Sequence, residues 1–116
     1  MKKIFLFAAL CLLFGSLSLY AQVEISSQDA KDHIGETVFV KGTVSGVSQS
    51  QKGNIYINFD YPYPDQTFTA SVMGGSDVDV SNIKVGSLVK ILGEIKKYKE
   101  KPEILLKKQD QIISVE

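Results

Sequence analysis

Residues 37–47, TVFVKGTVSGV, carry the clearest structural signal in the chain. Apolar and polar residues alternate here, so Val38, Val40 and Val44 share one face of an extended chain. Gly42 takes an inward position on that face, and a glycine inside a strand is typical of a sharp bend or a bulge. The pattern therefore predicts a bent β-strand with one buried face.

The same period of two recurs along the rest of the chain. Gly93 takes an inward position in a later strand, as Gly42 does in the first. Near the start, Ser26 with Asp29 three positions later predicts the beginning of a short N-terminal helix, which Gly35 would close. The strands expected after the first are 55–59, 67–72, 87–96 and 103–107, with a last extended piece at 109–115.

Five short strands with glycine bends in the first and fourth fit a small closed barrel of the all-β (mainly-β) class. Closure also leaves no edge strand exposed to pair with another chain. An open sandwich is the alternative, although five strands are few for one.

Residues 1–21, MKKIFLFAALCLLFGSLSLYA, have the composition of a secretory signal peptide: a basic start, an apolar run, and small and polar residues ending at Ala21. The apolar run is interrupted by Gly15 and falls short of the roughly 20 residues that a membrane span requires. We expect cleavage after Ala21, a single mature domain over 22–116, and a periplasmic or extracellular location with no stable membrane span. An uncleaved membrane anchor is the alternative.

Cysteine and charge content narrow the functional classes. The only cysteine, Cys11, lies inside the expected signal peptide, so the mature chain has no disulfide and its stability depends on its hydrophobic core. All 13 basic residues of the chain are lysines. The expected mature chain lacks Lys2 and Lys3, so it has 11 lysines and 13 acidic residues and a net charge of −2. Eight of these lysines follow residue 82, so the C-terminal third is basic. Without arginine, the chain has no planar guanidinium group to bind a phosphate through two hydrogen bonds. This argues against tight nucleic-acid binding that depends on charge alone.

Patterns for catalysis and metal binding are weak. His33 is the only histidine, with no cysteine or second histidine in the mature chain to complete a zinc site and no obvious partner serine. Residues 77–81, DVDVS, have the spacing of the first ligands of a calcium loop, but Asn82 replaces the turn glycine and Leu88 the bidentate glutamate. The sequence therefore predicts neither an enzyme nor a cofactor.

Several segments spread over almost the whole mature chain carry a family resemblance. They are TVFVKGTVSGV (37–47), KGNIYINF (52–59), YPDQTF (63–68), GSLVKILGEI (86–95) and YKEKPEI (98–104). Together they resemble exported bacterial OB-fold proteins of the nucleic-acid-binding OB-fold superfamily. The resemblance implies a five-stranded Greek-key barrel. Its second and third strands, with the loops joining strands 1 to 2 and 4 to 5, hold oligonucleotides or oligosaccharides. Such relatives often have tryptophan on the third strand, where this chain has Val72 or Met73.

The residues expected on that face supply a candidate binding site. On the second and third strands, polar residues alternate with the buried ones and point outward, and lysines and a tyrosine occupy the two loops. A stacking ring, worth about 1–3 kcal/mol per base, with lysines along the backbone is the minimum for single-stranded nucleic acid. The alternative is an ordinary β-surface beside a solvated lysine turn. The expected ligand-binding residues are Lys52, Tyr56, Asn58, Thr69, Ser71, Tyr98, Lys99 and Lys101.

The connection FDYPYPDQTF (59–68) raises the question of whether its tyrosines also bind a ligand. Pro62 and Pro64 fix φ and remove two backbone donors, which suits a connection better than a strand interior. We therefore expect Tyr61 and Tyr63 to be loop residues that pack over one end of the barrel.

The sequence thus predicts an exported, non-enzymatic OB-fold module that binds single-stranded nucleic acid or another extended anionic polymer. The alternative is an envelope module that binds glycans, such as an oligosaccharide, or protein partners, without binding nucleic acid.

Overall fold

The computed structural model describes residues 23–116. The expected signal peptide and its cleavage site lie outside these residues. The described elements are β1 (Glu24–Ser26), the 3₁₀ helix η1 (Ser27–Asp32), β2 (Thr37–Gln49), β3 (Ile55–Phe59), β4 (Phe68–Val72), β5 (Leu88–Glu94), β6 (Lys96–Tyr98), β7 (Lys101–Leu105), the 3₁₀ helix η2 (Gln109–Gln111) and β8 (Ile112–Val115). The prediction of a mainly-β domain is confirmed.

The strands form one mixed sheet in the order β6-β7-β4-β3-β2-β5-β8, with β1 beside β2. The β1–β2 and β4–β7 pairs are parallel and the others antiparallel. The pairing order has two ends, so it does not show the closed five-stranded barrel expected from the sequence. The difference arises at Ile95, which divides the expected fourth strand into β5, paired with β2, and β6, paired with β7.

The expected N-terminal helix is a 3₁₀ helix of six residues. The Ser26 hydroxyl caps it by accepting a hydrogen bond from the backbone N–H of Gln28 at 3.3 Å. Ala30 is fully buried and anchors the turn to the core. His33 follows at the C-cap, and its Nδ1 lies 3.1 Å from the Glu36 carboxylate, so this imidazole faces a neighbouring side chain.

The core contains the inward residues of the alternating strands. Phe59 and Phe68, at facing ends of β3 and β4, are fully buried, with ring centroids 5.2 Å apart and an interplanar angle of 57°. Burying an aliphatic or aromatic side chain of this size stabilises a fold by about 1.5–3 kcal/mol. The other large buried side chains include Val40, Val44, Ile57, Val89, Ile91, Ile95, Ile104 and Leu106.

Gly42 and Gly93 occupy the inward positions expected from the pattern, and both allow a close approach. A Cβ on Gly42 would collide with the Ser27 side chain at the start of η1. A Cβ on Gly93 would lie 2.5 Å from Cγ2 of Ile104 in β7. The register irregularity in β2 lies a few residues beyond Gly42, between Val44 and Gly46. The two glycines therefore leave room for η1 to approach β2 and for β7 to approach β5.

Candidate functional site

A groove of about 740 Å³ extends along β2, β3, β4 and β7 and is bordered by the 60–67 connection and the β6–β7 turn. Six of the eight predicted ligand-binding residues line it. The lining residues are Ser45, Gly46, Val47, Ser48, Tyr56, Asn58, Pro62, Tyr63, Pro64, Gln66, Thr69, Tyr98, Lys99, Lys101, Pro102 and Glu103.

Three tyrosines line the groove. Tyr56 on β3 is half-buried, and its hydroxyl accepts a 3.5 Å hydrogen bond from Nδ2 of Asn54. Tyr98 on β6 and Tyr63 in the connection are exposed, at 53% and 77%. Tyr63, expected from the sequence to pack over the end of the barrel, therefore belongs to the groove, whereas Tyr61 is not among its lining residues. Exposed rings around a concave surface can stack on planar ligands.

The β6–β7 turn positions Tyr98 and Lys99. Tyr98 pairs with Lys101 across the hairpin, and Lys99 and Glu100 between them have φ values of 48° and 69°. Positive φ at both central residues characterises the tight two-residue turn that matches the twist of a hairpin. Nζ of Lys99 lies 5.5 Å from the centroid of the Tyr98 ring. A cation thus stands next to a ring at the mouth of the groove.

The floor of the groove is polar and internally hydrogen-bonded. Asn58 and Thr69 face each other across β3 and β4, and the Thr69 hydroxyl donates to Oδ1 of Asn58 at 2.9 Å. Both residues are buried, at 7% and 6% exposure. The Thr69 hydroxyl and the Asn58 carbonyl oxygen are therefore paired with each other, and the exposed tyrosines of the rim offer more contact area to a ligand.

Two predicted site residues lie outside the groove lining. Ser71 is fully buried, and its hydroxyl donates to the Glu103 carboxylate on the neighbouring strand β7. Lys52 is exposed in the turn between β2 and β3. The structure therefore gives Ser71 a partner inside the protein and leaves Lys52 out of the groove lining.

Lys101 lines the groove but is engaged by the chain itself. Its Nζ donates to the carbonyl oxygens of Pro64 at 2.5 Å and Gln66 at 2.9 Å. The connection is held at its other side by Asp60, whose carboxylate accepts hydrogen bonds from Ser27 and Thr67. These contacts fix the wall of the groove.

Gln66 is a lining residue that the sequence analysis missed. It is 8% exposed, and its Oε1 is buried without a hydrogen-bond partner among the described residues. No periodic pattern identifies it, because it lies in an irregular connection just before β4.

The charges that line the groove are few. Lys101 is bound to carbonyl groups and Glu103 accepts from Ser71, which leaves Lys99 as the lining cation directed to the aromatic rim. Elsewhere, a hydrogen bond from Lys90 at 2.7 Å lowers the pKa of Glu24, and hydrogen bonds from Ser81 lower the pKa of Asp79.

Within residues 23–116, no three His, Cys, Asp or Glu side chains come together in a way that could hold a metal ion. Over the same range, no helix has the length and apolar character needed to cross a membrane.

No protein-family model matches the chain, and no curated protein matches it. Among solved structures it is similar to the crystal structure of a protein from Leishmania major Friedlin assigned as an aspartyl-tRNA synthetase. The TM-score is 0.53 at 17% sequence identity, and the match covers 74% of this chain. It covers only 20% of the other chain, so this protein corresponds to a small part of that one. At this identity the similarity shows that the two share a small β-rich fold.

Proposed function

We propose that this protein is an exported, non-enzymatic OB-fold module whose groove binds single-stranded nucleic acid. The observation that carries the proposal is the groove itself. Tyr56, Tyr63 and Tyr98 surround a polar floor on the outer side of β3 and β4, and Lys99 stands at its mouth. Rings that stack on bases together with a cation near the backbone are the elements of such a site.

The strand pairing supports an OB-type barrel. β2, β3, β4 and β7 are neighbours in that order, and β5 and β6 form one stretch of chain interrupted only at Ile95. β5 pairs with β2, the first strand of this series, and β6 pairs with β7, the last. The continuous segment β5–β6 therefore links the two ends of the series. The similarity to part of a protein assigned as a tRNA synthetase is consistent with a nucleic-acid-binding fold.

The charge distribution determines the kind of binding that we propose. Phosphate contacts lower the logarithm of affinity for single strands by about 0.7 per contact per decade of salt. Because the groove presents one lysine at its aromatic rim, we expect a shallow salt dependence of about one contact. Base stacking on tyrosine, at about 1–3 kcal/mol per base, would then supply most of the affinity.

A second function is favoured by the same shortage of cations. Tyrosines above a floor that contains Asn58 and Glu103 also suit a neutral oligosaccharide, which needs stacking and hydrogen bonds but no phosphate contacts. An exported module of this kind would bind envelope glycans, or protein partners, without nucleic acid.

Fluorescence anisotropy with a labelled oligo(dT), titrated with salt, tests the proposal. We expect binding at low ionic strength that weakens only gradually as salt is added. A protein that leaves the oligonucleotide unbound at low ionic strength contradicts the proposal. If that protein binds neutral oligosaccharides in the same buffer, the second function is supported.

A further inference from the structure

The floor of the groove contains a carboxylate that the protein uses only in part. Glu103 lines the groove and is half-buried, and it lies on the outer face of β7 between the buried Pro102 and Ile104. Its Oε1 accepts a hydrogen bond from the Ser71 hydroxyl, but within residues 23–116 no group donates to its Oε2 and no lysine forms an ion pair with it. Oε1 of Gln66 is the one buried side-chain oxygen in that range without a partner, so Oε2 of Glu103 is accessible to solvent. A donor on a ligand can therefore reach it.

The strand register places this carboxylate beside the aromatic rim. Glu103 pairs with Thr69 of β4 on one side and with Lys96 of β6 on the other. Tyr98 of β6 pairs with Lys101, which lies two residues before Glu103 and on the same face of β7. Neighbouring strands are about 4.8 Å apart, close to the width of a pyrimidine ring. A base that stacks on the Tyr98 ring can thus present its edge to Glu103.

The two charges that are free to meet a ligand have opposite signs and different places. Lys99 stands next to the Tyr98 ring at the mouth of the groove, whereas Glu103 lies on the floor. A phosphate is attracted by the first and repelled by the second. A bound single strand should therefore run its sugar–phosphate backbone along the rim and turn its bases towards the floor. There the side chains of Asn58 and Thr69 are paired with each other, so Glu103 is the charged acceptor that a base edge meets.

Within the function proposed above, we propose that Glu103 is a specificity-determining residue that selects cytosine. Its Oε2 accepts a hydrogen bond from the exocyclic N4 amino group of a base stacked on the rim. Carboxylates accept from this amino group in nucleic-acid recognition. Uracil has the carbonyl oxygen O4 at the same position, which a carboxylate repels. A site that hydrogen-bonds one group of its ligand discriminates strongly against a ligand that lacks that group.

A double-mutant cycle tests the contact. The two ligands are labelled oligo(dC) and oligo(dU) of equal length, compared in one buffer at mildly alkaline pH, so their phosphate contacts are the same. The two proteins are the wild type and Glu103→Gln, which keeps the side-chain size and adds a donor that can pair with O4 of uracil. We expect the wild type to prefer oligo(dC) by about tenfold, and we expect this preference to fall to within about twofold in Glu103→Gln.

Two further variants separate the contact from other effects of the substitution. Glu94→Gln removes a negative charge from an exposed position outside the groove lining, so it should shift both affinities alike and keep the preference for oligo(dC). Glu103→Asp keeps a carboxylate on the floor and should keep oligo(dC) as the preferred ligand, which covers the case in which glutamine disturbs the groove.

The outcomes distinguish this proposal from the function on which it rests. Equal affinity of the wild type for the two oligonucleotides, or an unchanged preference in folded Glu103→Gln, overturns the role of Glu103 and leaves the proposed function standing. Failure of the wild type to bind any oligonucleotide overturns both.

Discussion

Nζ of Lys101 lies 2.9 Å from the carbonyl oxygen of Gln66 and ties β7 to the connection between β3 and β4. The same ammonium donates to the Pro64 carbonyl, so one side chain fixes two positions of the groove wall. Lys99, two residues earlier, stands beside the Tyr98 ring at the mouth of the groove. Two lysines expected to have the same role therefore have different surroundings.

Replacing each of these lysines by methionine should separate the roles. Lys101→Met removes charge-assisted hydrogen bonds and should lower the free energy of unfolding by about 1–2 kcal/mol, with partial exposure limiting the loss. Lys99→Met should change it by less than about 0.5 kcal/mol. Denaturant unfolding of both variants measures these values. Equal destabilisation by the two variants would contradict the structural role of Lys101.

The same pair predicts a difference in salt dependence. If Lys99 contacts a phosphate as proposed, Lys99→Met should flatten the plot of log affinity against log salt by about 0.7. Lys101→Met should leave the slope unchanged, since its ammonium is bound to backbone carbonyls. Oligonucleotide titrations of both variants between low and moderate salt give the slopes, and a flatter slope for Lys101→Met alone would reverse the assignment.

Close approach of η1 to β2 gives a prediction about Gly42. A methyl group there would collide with Ser27 and approach Phe59, so Gly42→Ala should destabilise the fold by about 1–3 kcal/mol through overpacking. Gly46→Ala in the same strand is the matched control, because nothing lies within 4 Å of its Cβ position. Thermal and denaturant unfolding compare the two. Similar stability of both variants would mean that Gly42 is not needed for packing.

Gly42 also shows how much of the fold can be predicted from the sequence. Alternation alone identified the strand and marked Gly42 as an inward position without a side chain. The reason for the glycine is Ser27, which lies in another element and reaches β2 only in the folded chain. Likewise, nothing local shows that the strand 87–96 divides at Ile95, because the division reflects two different pairing partners.

For the site, periodicity placed Tyr56, Asn58, Thr69 and Ser71 on one face but could not assign their partners. Ser71 meets Glu103, 32 positions away, because β7 lies parallel to β4. That pairing is a property of the topology and leaves no trace near Ser71. Irregular backbone has no period, so a residue such as Gln66 gives no signal before the structure is seen.

Because of the Ser71–Glu103 contact, we expect Ser71→Ala to lower stability without changing ligand affinity. Ser71→Ala removes the hydroxyl donor from a partly buried carboxylate and should cost about 1–3 kcal/mol in unfolding free energy. Because Ser71 does not line the groove, oligonucleotide affinity measured well below the melting temperature should stay unchanged. Ser48→Ala, an exposed groove residue, is the control for stability. A specific loss of affinity in Ser71→Ala would contradict this expectation and would show that the Ser71–Glu103 contact supports binding through Glu103, which lines the groove.

Glu24 predicts a small dependence of stability on pH. Its pKa is lowered below the ordinary 4.5, mainly by the hydrogen bond from Lys90. A carboxyl whose folded pKa is depressed contributes stability above its unfolded pKa and loses that contribution as pH falls through the folded value. The loss should therefore occur below about pH 4.5. In Lys90→Met, NMR titration should show the Glu24 pKa rising towards 4.5, and an unchanged pKa would contradict the pairing.

The tyrosines allow a test in which exposure is held constant. Tyr98 and Tyr61 are 53% and 54% exposed, but only Tyr98 lines the groove. If stacking in the groove drives binding, Tyr98→Ala should weaken the binding free energy for oligo(dT) by about 1–3 kcal/mol. Tyr61→Ala removes the same ring at nearly equal exposure and should leave affinity within about twofold, since ring loss at a non-contacting surface has little effect. Anisotropy titrations at low salt, with unfolding curves for both variants, compare them. Equal losses of affinity in the two variants would show that the tyrosines act through non-specific surface attraction. That result would contradict the groove as the binding site.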